Sequence, residues 1–430
     1  MGRRSNRTRR QWLVACSGAT AGLTALAGCA DSDDEDDPGN GDDEDGDGEQ
    51  TVDGDSDEAA SGTWPMSRFT ADNRMVAEDR SGPDGPLEER WTIEMDEVNF
   101  SGPVVDNGLV YVADDRSTLH AIELASGETE WEFDDAEASP TTPAVTNDAI
   151  YFLTDTLYAI DLENGDELWS IELGSSGSGD IRVFDDIVYV HNDGELYAID
   201  VSNEAIIWEG EAGETQDIAI GDDGTFYVIR RTNSGHDYEA MAFDVFEDET
   251  LWSYSPPGNV QTGFGLMVRD ETVYTHEEES IVAIDGKTGT AETVVEYEQT
   301  EETTPTDGIA PTSANGIIYS GGAYGYNVLF ATELDSGEEP DTWNPDALEN
   351  GPNGFQPFVS DDTLYIWRRN GFVQLDALDP ETGEQQWTTH TTGHVDLLGG
   401  VVEGYAILEE SVLFTYNAGS GSAIGALEAE

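Results

Sequence analysis

The side chains that could do chemistry are few and scattered. Histidine occurs at positions 120, 191, 236, 276, 390 and 394, and cysteine only at Cys16 and Cys29. His390 and His394 stand four apart, a spacing that converges on a metal when it lies on a helix. Here Gly393 and two threonines intervene, which points to a loop or strand, so the pair is expected not to converge. The run Asp33-Asp34-Glu35-Asp36-Asp37 could collect cations, but it lacks the Gly and Glu spacing of a calcium-binding loop. Neither G-x-S-x-G nor G-x4-G-K-[ST] occurs, so there is no serine-hydrolase elbow and no phosphate loop. Residues 174–179 are all Gly and Ser, but no helix period follows, which makes them a link rather than a nucleotide cradle. No residue is assigned a catalytic or metal-binding role. Groups suited to binding are Tyr324 and Tyr326 in the insert 321–327, and Trp367, Arg368 and Arg369 in a segment expected to be a loop. Aromatics and Arg are enriched at interface hot spots, and loops on a rigid scaffold usually carry recognition. The segments 230–238 and 339–345 are further inserts of this kind.

The scaffold is legible in a recurring phrase: an acid, Gly four positions on, Trp eight positions on. It reads Glu123–Gly127–Trp131, Asp161–Gly165–Trp169 and Asp379–Gly383–Trp387. Asp200–Trp208 and Asp244–Trp252 keep the acid and Trp, with Glu204 and Asp248 at the Gly position. Asp285–Gly289 has Thr293 in place of Trp, and Glu333–Gly337 reaches Trp343 after a two-residue insertion. Upstream of each phrase lies a short apolar run centred on an aromatic, such as Leu109-Val110-Tyr111-Val112 or Ile187-Val188-Tyr189-Val190, and eight such runs occur. β-Branched and aromatic runs bounded by Gly, Asn and Asp read as strands, and the acid-x3-Gly spacing reads as a hairpin turn. Four strands in roughly 40 residues, repeated, specify a β-propeller. The expected fold is all-β: an eight-bladed propeller of four-stranded antiparallel blades over residues 63–430. The tryptophans are expected on outer strands, packing between blades. The eighth blade has no Trp phrase, whereas Glu89-Arg90-Trp91-Thr92-Ile93 has one without a blade. This N-terminal strand is expected to complete the last blade; closure by the C-terminal strand 423–430 is the alternative.

Ahead of the repeats, residues 1–28 carry five Arg and no acid, followed by an apolar, small-residue stretch too short to span a bilayer. Arg9-Arg10 resembles a twin-arginine export motif, with Trp12 where Phe or Leu is commoner. Leu26-Ala27-Gly28-Cys29 resembles a lipobox, which makes 1–28 a lipoprotein signal peptide and Cys29 the lipidated residue. Residues 29–62 hold sixteen acids, no base and almost nothing apolar, the composition of a disordered tether. The expected location is the outer face of the cytoplasmic membrane, with the Cys29 lipid as the sole membrane contact. No cysteine follows Cys29, so the exported domain is held by core burial without disulfides.

The formal net charge is −75, spread through every blade, with Lys287 the only lysine. Such a charge repels itself strongly in dilute buffer. At molar salt the Debye length falls to ~3 Å and the repulsion is screened. The chain reads as a protein of an extreme halophile, and its charge disfavours nucleic acid as a partner.

The phrase Leu157-Tyr158-Ala159-Ile160-Asp161-x3-Gly165-x3-Trp169 and the opening Trp64-Pro65-Met66 resemble the PQQ-like, or quinoprotein-type, β-propeller repeat family. The resemblance runs over about residues 63–430, strongest in the first three blades and weakest in blades five, six and eight. The family includes quinone dehydrogenases and also propellers that bind no quinone, among them the outer-membrane assembly lipoprotein BamB. It therefore implies fold more than activity. The dehydrogenases use a calcium or lanthanide ion held by carboxylate and Asn, a catalytic Asp and usually a Cys-Cys disulfide. This chain has no Cys-Cys and no matching ligand set, so no pyrroloquinoline quinone and no calcium is expected. The resulting expectation is a monomeric, lipid-anchored, non-enzymatic scaffold that binds other cell-surface proteins. The alternatives are a quinone- or metal-dependent oxidoreductase, and a sensor taking a small ligand or sugar in the central channel.

Overall fold

The computed structural model describes residues 63–77, 80–95, 98–134, 141–174, 179–232, 238–256, 265–277, 280–296, 311–321, 329–334, 336–340, 342–343, 357–369, 373–390, 401–418 and 421–429. These form eight antiparallel sheets in chain order, the expected propeller. Blade one consists of Val104–Asp106, Leu109–Ala113, Thr118–Glu123 and Thr129–Asp134, each strand paired with the next. Blades two to five repeat that meander, and blade seven repeats it over Phe358–Ser360, Leu364–Arg369, Val373–Leu378 and Gln385–His390. Blade six has three strands among the described residues, Thr312–Ala314, Ile317–Gly321 and Leu329–Glu333. The first strands of neighbouring blades touch one another, which places them around the axis. No helix among the described residues is long and apolar enough to cross a membrane.

Ring closure uses both chain ends. Val401–Ile407, Ser411–Ala418 and Gly421–Ala429 form three strands of blade eight, and Leu87–Met95 pairs antiparallel with Gly421–Ala429 as its outermost strand. The C-terminal strand is thus the third of the blade, and the N-terminal strand carrying Trp91 supplies the fourth. This removes the free edges of an open sheet.

The repeated phrase builds the seams between blades. The Trp131 indole N–H donates to Leu162 O of blade two (3.1 Å), and Trp91 donates to Leu124 O of blade one (2.8 Å). Trp252 makes the same bond to Gly286 O of blade five at 2.8 Å. Beneath each ring lies the turn glycine. A Cβ on Gly165 would fall 2.6 Å from Trp131, and one on Gly127 would fall 2.8 Å from Trp91. Both glycines also hold φ near +75°, which L side chains rarely adopt. Glu204 and Asp248, which replace Gly in blades three and four, keep that left-handed backbone at φ 50° and 57°. Asp248 also accepts the Trp208 indole N–H at 3.2 Å. Trp343 lies outside the described strands yet covers Gly383 of the next blade, so the two-residue insertion keeps the ring on its glycine, without the indole bond among the described residues. In blade five, where Thr293 replaces Trp, Gly337 faces the Val294 carbonyl instead.

Candidate functional site

The axial channel, where the blades converge, contains residues of the chain's own segment 63–80. The segment's fit follows from the register of the ring. Second strands carry a tyrosine whose inner-strand partner is Val104 in blade one, Ala144 in two, Ala219 in four, Met267 in five and Phe358 in seven. The residue after that partner turns its N–H towards the axis. Val105 donates to Trp64 O (2.8 Å), Val145 to Pro65 O (2.7 Å), Ile220 to Ala71 O (2.8 Å), Val268 to Asp72 O (2.8 Å) and Val359 to Met75 O (3.0 Å). One backbone donor from each of five blades is therefore met by one carbonyl of the segment. Val76–Ala77 then adds to blade seven as a short parallel fifth strand.

The segment reaches all these donors by curling. Phe69, Asn73 and Met75 have φ of 65°, 62° and 54°. Such residues cost free energy and persist only where surroundings over-determine them. Polar contacts do that here. Arg182 of blade three is fully buried; its Nε donates to Asn73 Oδ1 (2.8 Å) and its Nη1 to Asp180 (2.7 Å) and Ser67 Oγ (3.0 Å). Asn73 Nδ2 donates to Ile218 O (2.8 Å) and Leu266 O (3.1 Å), joining blades four and five. Arg68 pairs with Asp217 of blade four at 2.8 Å, and the same carboxyl accepts the Leu266 N–H at 2.8 Å. Burial pushes the Asp217 carboxyl up, against the pull of Arg68 and Arg182. Arg80 lies over the Phe69 ring and donates to Thr63 O (2.7 Å) and Ile407 O of blade eight (2.8 Å). Burial brings it down to about 10. Both ends of the segment thus lie side by side against blade eight. Apolar packing completes the fill: the buried Trp64 ring lies against Phe69, Phe358 and Tyr405 at centroid distances of 5.1, 5.0 and 5.9 Å.

The arrangement can hold a peptide; its fit to a quinone with a cation is poor. Asp72, Asp180 and Asp217 are paired with Arg74, Arg182 and Arg68, and the centre is occupied by protein. Among the described residues no three His, Cys, Asp or Glu side chains stand close enough to share a metal ion. Outside the axis, His120 lies buried between Asp114 (3.0 Å) and Glu132 (3.1 Å) in blade one. A solvent-open cleft of about 520 Å³ also opens at the rim between blades eight, one and two, bordered by Arg90, Glu123 and Glu163.

The residues singled out for binding fare unequally. Tyr324 and Tyr326 lie outside the described residues, as do Arg9, Arg10, Cys29, His236 and His394. Arg368 and Arg369 end the strand Leu364–Arg369, which corrects the loop expected there. Trp367 is in the same strand and only 2% exposed, with its ring 6.1 Å from Tyr405 and 5.9 Å from Phe414. It packs blade seven on blade eight and is not available to a partner. The polar half of the axial site was missed from sequence. Its signal is compositional: Arg68, Arg74 and Arg80 cluster within one short segment of a chain that is overwhelmingly acidic.

Solved structures share this architecture at low identity. BamB from Moraxella catarrhalis is 16% identical, with 80% of this chain and 99% of that one covered and a TM-score of 0.55. A quinohemoprotein alcohol dehydrogenase from Pseudomonas putida HK5 is 14% identical, with 86% and 80% covered and a TM-score of 0.60. A europium-containing methanol dehydrogenase is 12% identical, with 86% and 98% covered and a TM-score of 0.62. These likenesses are of fold. No curated protein matches the sequence significantly. Residues 84–291 and 154–389 match the family model for PQQ-like repeats described as outer membrane protein assembly factor BamB. With its repeated strands, Trp-on-turn seams and most of its length so matched, the chain belongs to that family.

Proposed function

We propose that this protein is a non-enzymatic propeller that binds other proteins at the cell surface, anchored through a lipid on Cys29. The observation that carries the reading is the filled axis. The inner-strand donors and axial carboxylates are engaged by a stretch of polypeptide, residues 63–80. The family description, an assembly factor, names the same class of role for relatives. In this reading residues 1–28 direct export, 29–62 tether the ring, and 63–430 form a monomeric scaffold needing neither quinone nor metal. Cross-linking in cells followed by purification of the native lipoprotein tests the scaffold. Reproducible enrichment of specific proteins is expected, and their consistent absence would count against it. Cys29→Ser is expected to release the protein into the medium; continued membrane retention would refute the lipid anchor. Saturable one-to-one binding of pyrroloquinoline quinone with calcium by the folded protein would replace the scaffold with an oxidoreductase.

A further inference from the structure

We propose that the axial ring is a peptide-binding site, held in cis by residues 63–80 and open to exchange with a curled, arginine-bearing peptide supplied by another polypeptide. The inference deepens the scaffold reading and rests on it. Three observations carry it. First, the recognition is that of a ligand: backbone N–H groups at one register position of five blades receive carbonyls, and Asp217 receives an arginine. Backbone carbonyls are common to all peptides, so this part of the site is indifferent to sequence. Asp217 and the Arg182–Asn73 bond supply the specificity.

Second, the segment is inserted like a loop. The Arg80 guanidinium bonds the Thr63 carbonyl, so the two ends of the segment lie side by side, as those of a loop do. The link that follows it is solvent-accessible at Ser81, Asp84 and Pro86. Third, the segment supplies only Val76–Ala77 to the strands of the ring, and every other described strand begins beyond it. The aromatic seams, the strand meanders and the closure by Leu87–Met95 all lie outside 63–80.

The test uses the full chain with a protease-recognition sequence inserted between Asp84 and Gly85. Cleavage in molar salt cuts the segment from the ring without removing a residue of either. The probe is a fluorophore-labelled synthetic peptide of residues 63–80, followed by anisotropy. The cleaved ring is expected to stay folded and take up one peptide per ring, while the uncleaved protein takes it up far more slowly. A peptide carrying Arg68→Ala is expected to bind about a hundredfold more weakly, because it leaves Asp217 buried without its closest partner. Absence of uptake by a folded, cleaved ring overturns the proposal, and so does unfolding on cleavage, which makes the segment an inseparable part of the core. Uptake indifferent to Arg68→Ala overturns the specificity claimed for Asp217. The two readings fail separately: partners cross-linked in cells with no peptide uptake place the scaffold's contacts elsewhere, whereas uptake without partners in cells leaves the site and removes the scaffold.

Discussion

At the rim, Trp91, Trp131 and Trp252 meet the next blade through one contact used repeatedly, a ring over a turn glycine and an indole bond to a backbone carbonyl. At the axis, Arg182, Asp217 and Asn73 meet through bonds that occur once each. A rim seam joins two blades, so its loss is local. The axial contacts join the segment 63–80 to blades three, four and five together, so their loss is shared. The physics differs too. The indoles gain mainly from apolar area, while the buried Arg182 guanidinium depends on its bonds to Asn73, Ser67 and Asp180 to offset the loss of water.

The largest effect is expected at the axis. Arg182→Ala removes a fully buried cation and strips Asp180, Ser67 and Asn73 of a donor, at a cost of about 3–5 kcal/mol. Urea unfolding in molar salt measures it. Adding Asn73→Ala sharpens the contrast: the two losses are expected to be non-additive by about 0.5–3 kcal/mol, since they share one network. Simple addition would show that the axis behaves like the rim.

The next effect is at the rim. Trp131→Ala deletes the Tyr111 contact at 5.7 Å and the bond to Leu162, and is expected to cost about 3 kcal/mol, the low end for a large aromatic because the ring is only partly buried. Combined with Trp252→Ala, three blades away, the costs are expected to add within about 0.5 kcal/mol. Strong coupling between the two would mean that seams communicate round the ring. Gly165→Ala attacks the same seam from below. Its φ of +74° and the 2.6 Å approach to Trp131 predict a loss of about 2 kcal/mol by the same unfolding measurement. Because the overlap rests on that ring and the backbone strain does not, Trp131→Ala is expected to relieve only part of the loss.

This contrast also explains what could be read in advance. The rim was legible because its chemistry repeats at a fixed spacing, even where Glu204, Asp248 and the insertion before Trp343 interrupt it. The closing strand was legible through Trp91, a seam residue without a blade. The axis was not, because the side-chain bonds that fasten the middle of the segment to the ring join residues more than a hundred positions apart, such as Asn73 to Arg182 and to Leu266. Nothing in the local pattern around Asn73 announces a donor that far away. Trp367 was misplaced for a different reason. Leu364-Tyr365-Ile366-Trp367 is a continuous apolar run, the pattern of a strand buried on both faces, and that strand runs on through Arg368 and Arg369.

The smallest effect is expected at the blade-one histidine, and its sign decides whether a buried cation is held in blade one as well as at the axis. The His120 ring is 5% exposed, with Asp114 on one nitrogen and Glu132 on the other. Burial works against its protonation, but the bonds and charges of the two carboxylates prevail and raise it above the ordinary histidine value. A base held charged by the fold contributes its full stability below the unfolded pKa of about 6.5 and loses it as pH rises through the higher folded value. Asp114 behaves oppositely. Burial raises it, but bonds from His120, Thr118 and Arg116 bring it below the ordinary carboxyl value, so its contribution is present above about 4 and lost as pH falls through the folded value. His191, lowered by burial, loses stability on the acid side of about 6.5 and cannot imitate an alkaline decline. Stability in molar salt is therefore expected to fall by about 1–2 kcal/mol from pH 6 to above the folded value, the size of one charge-assisted hydrogen bond. His120→Gln is expected to flatten that slope while leaving the response to Arg182→Ala unchanged. An alkaline decline that survives His120→Gln would assign it to another group and show that blade one does not hold His120 as a buried cation.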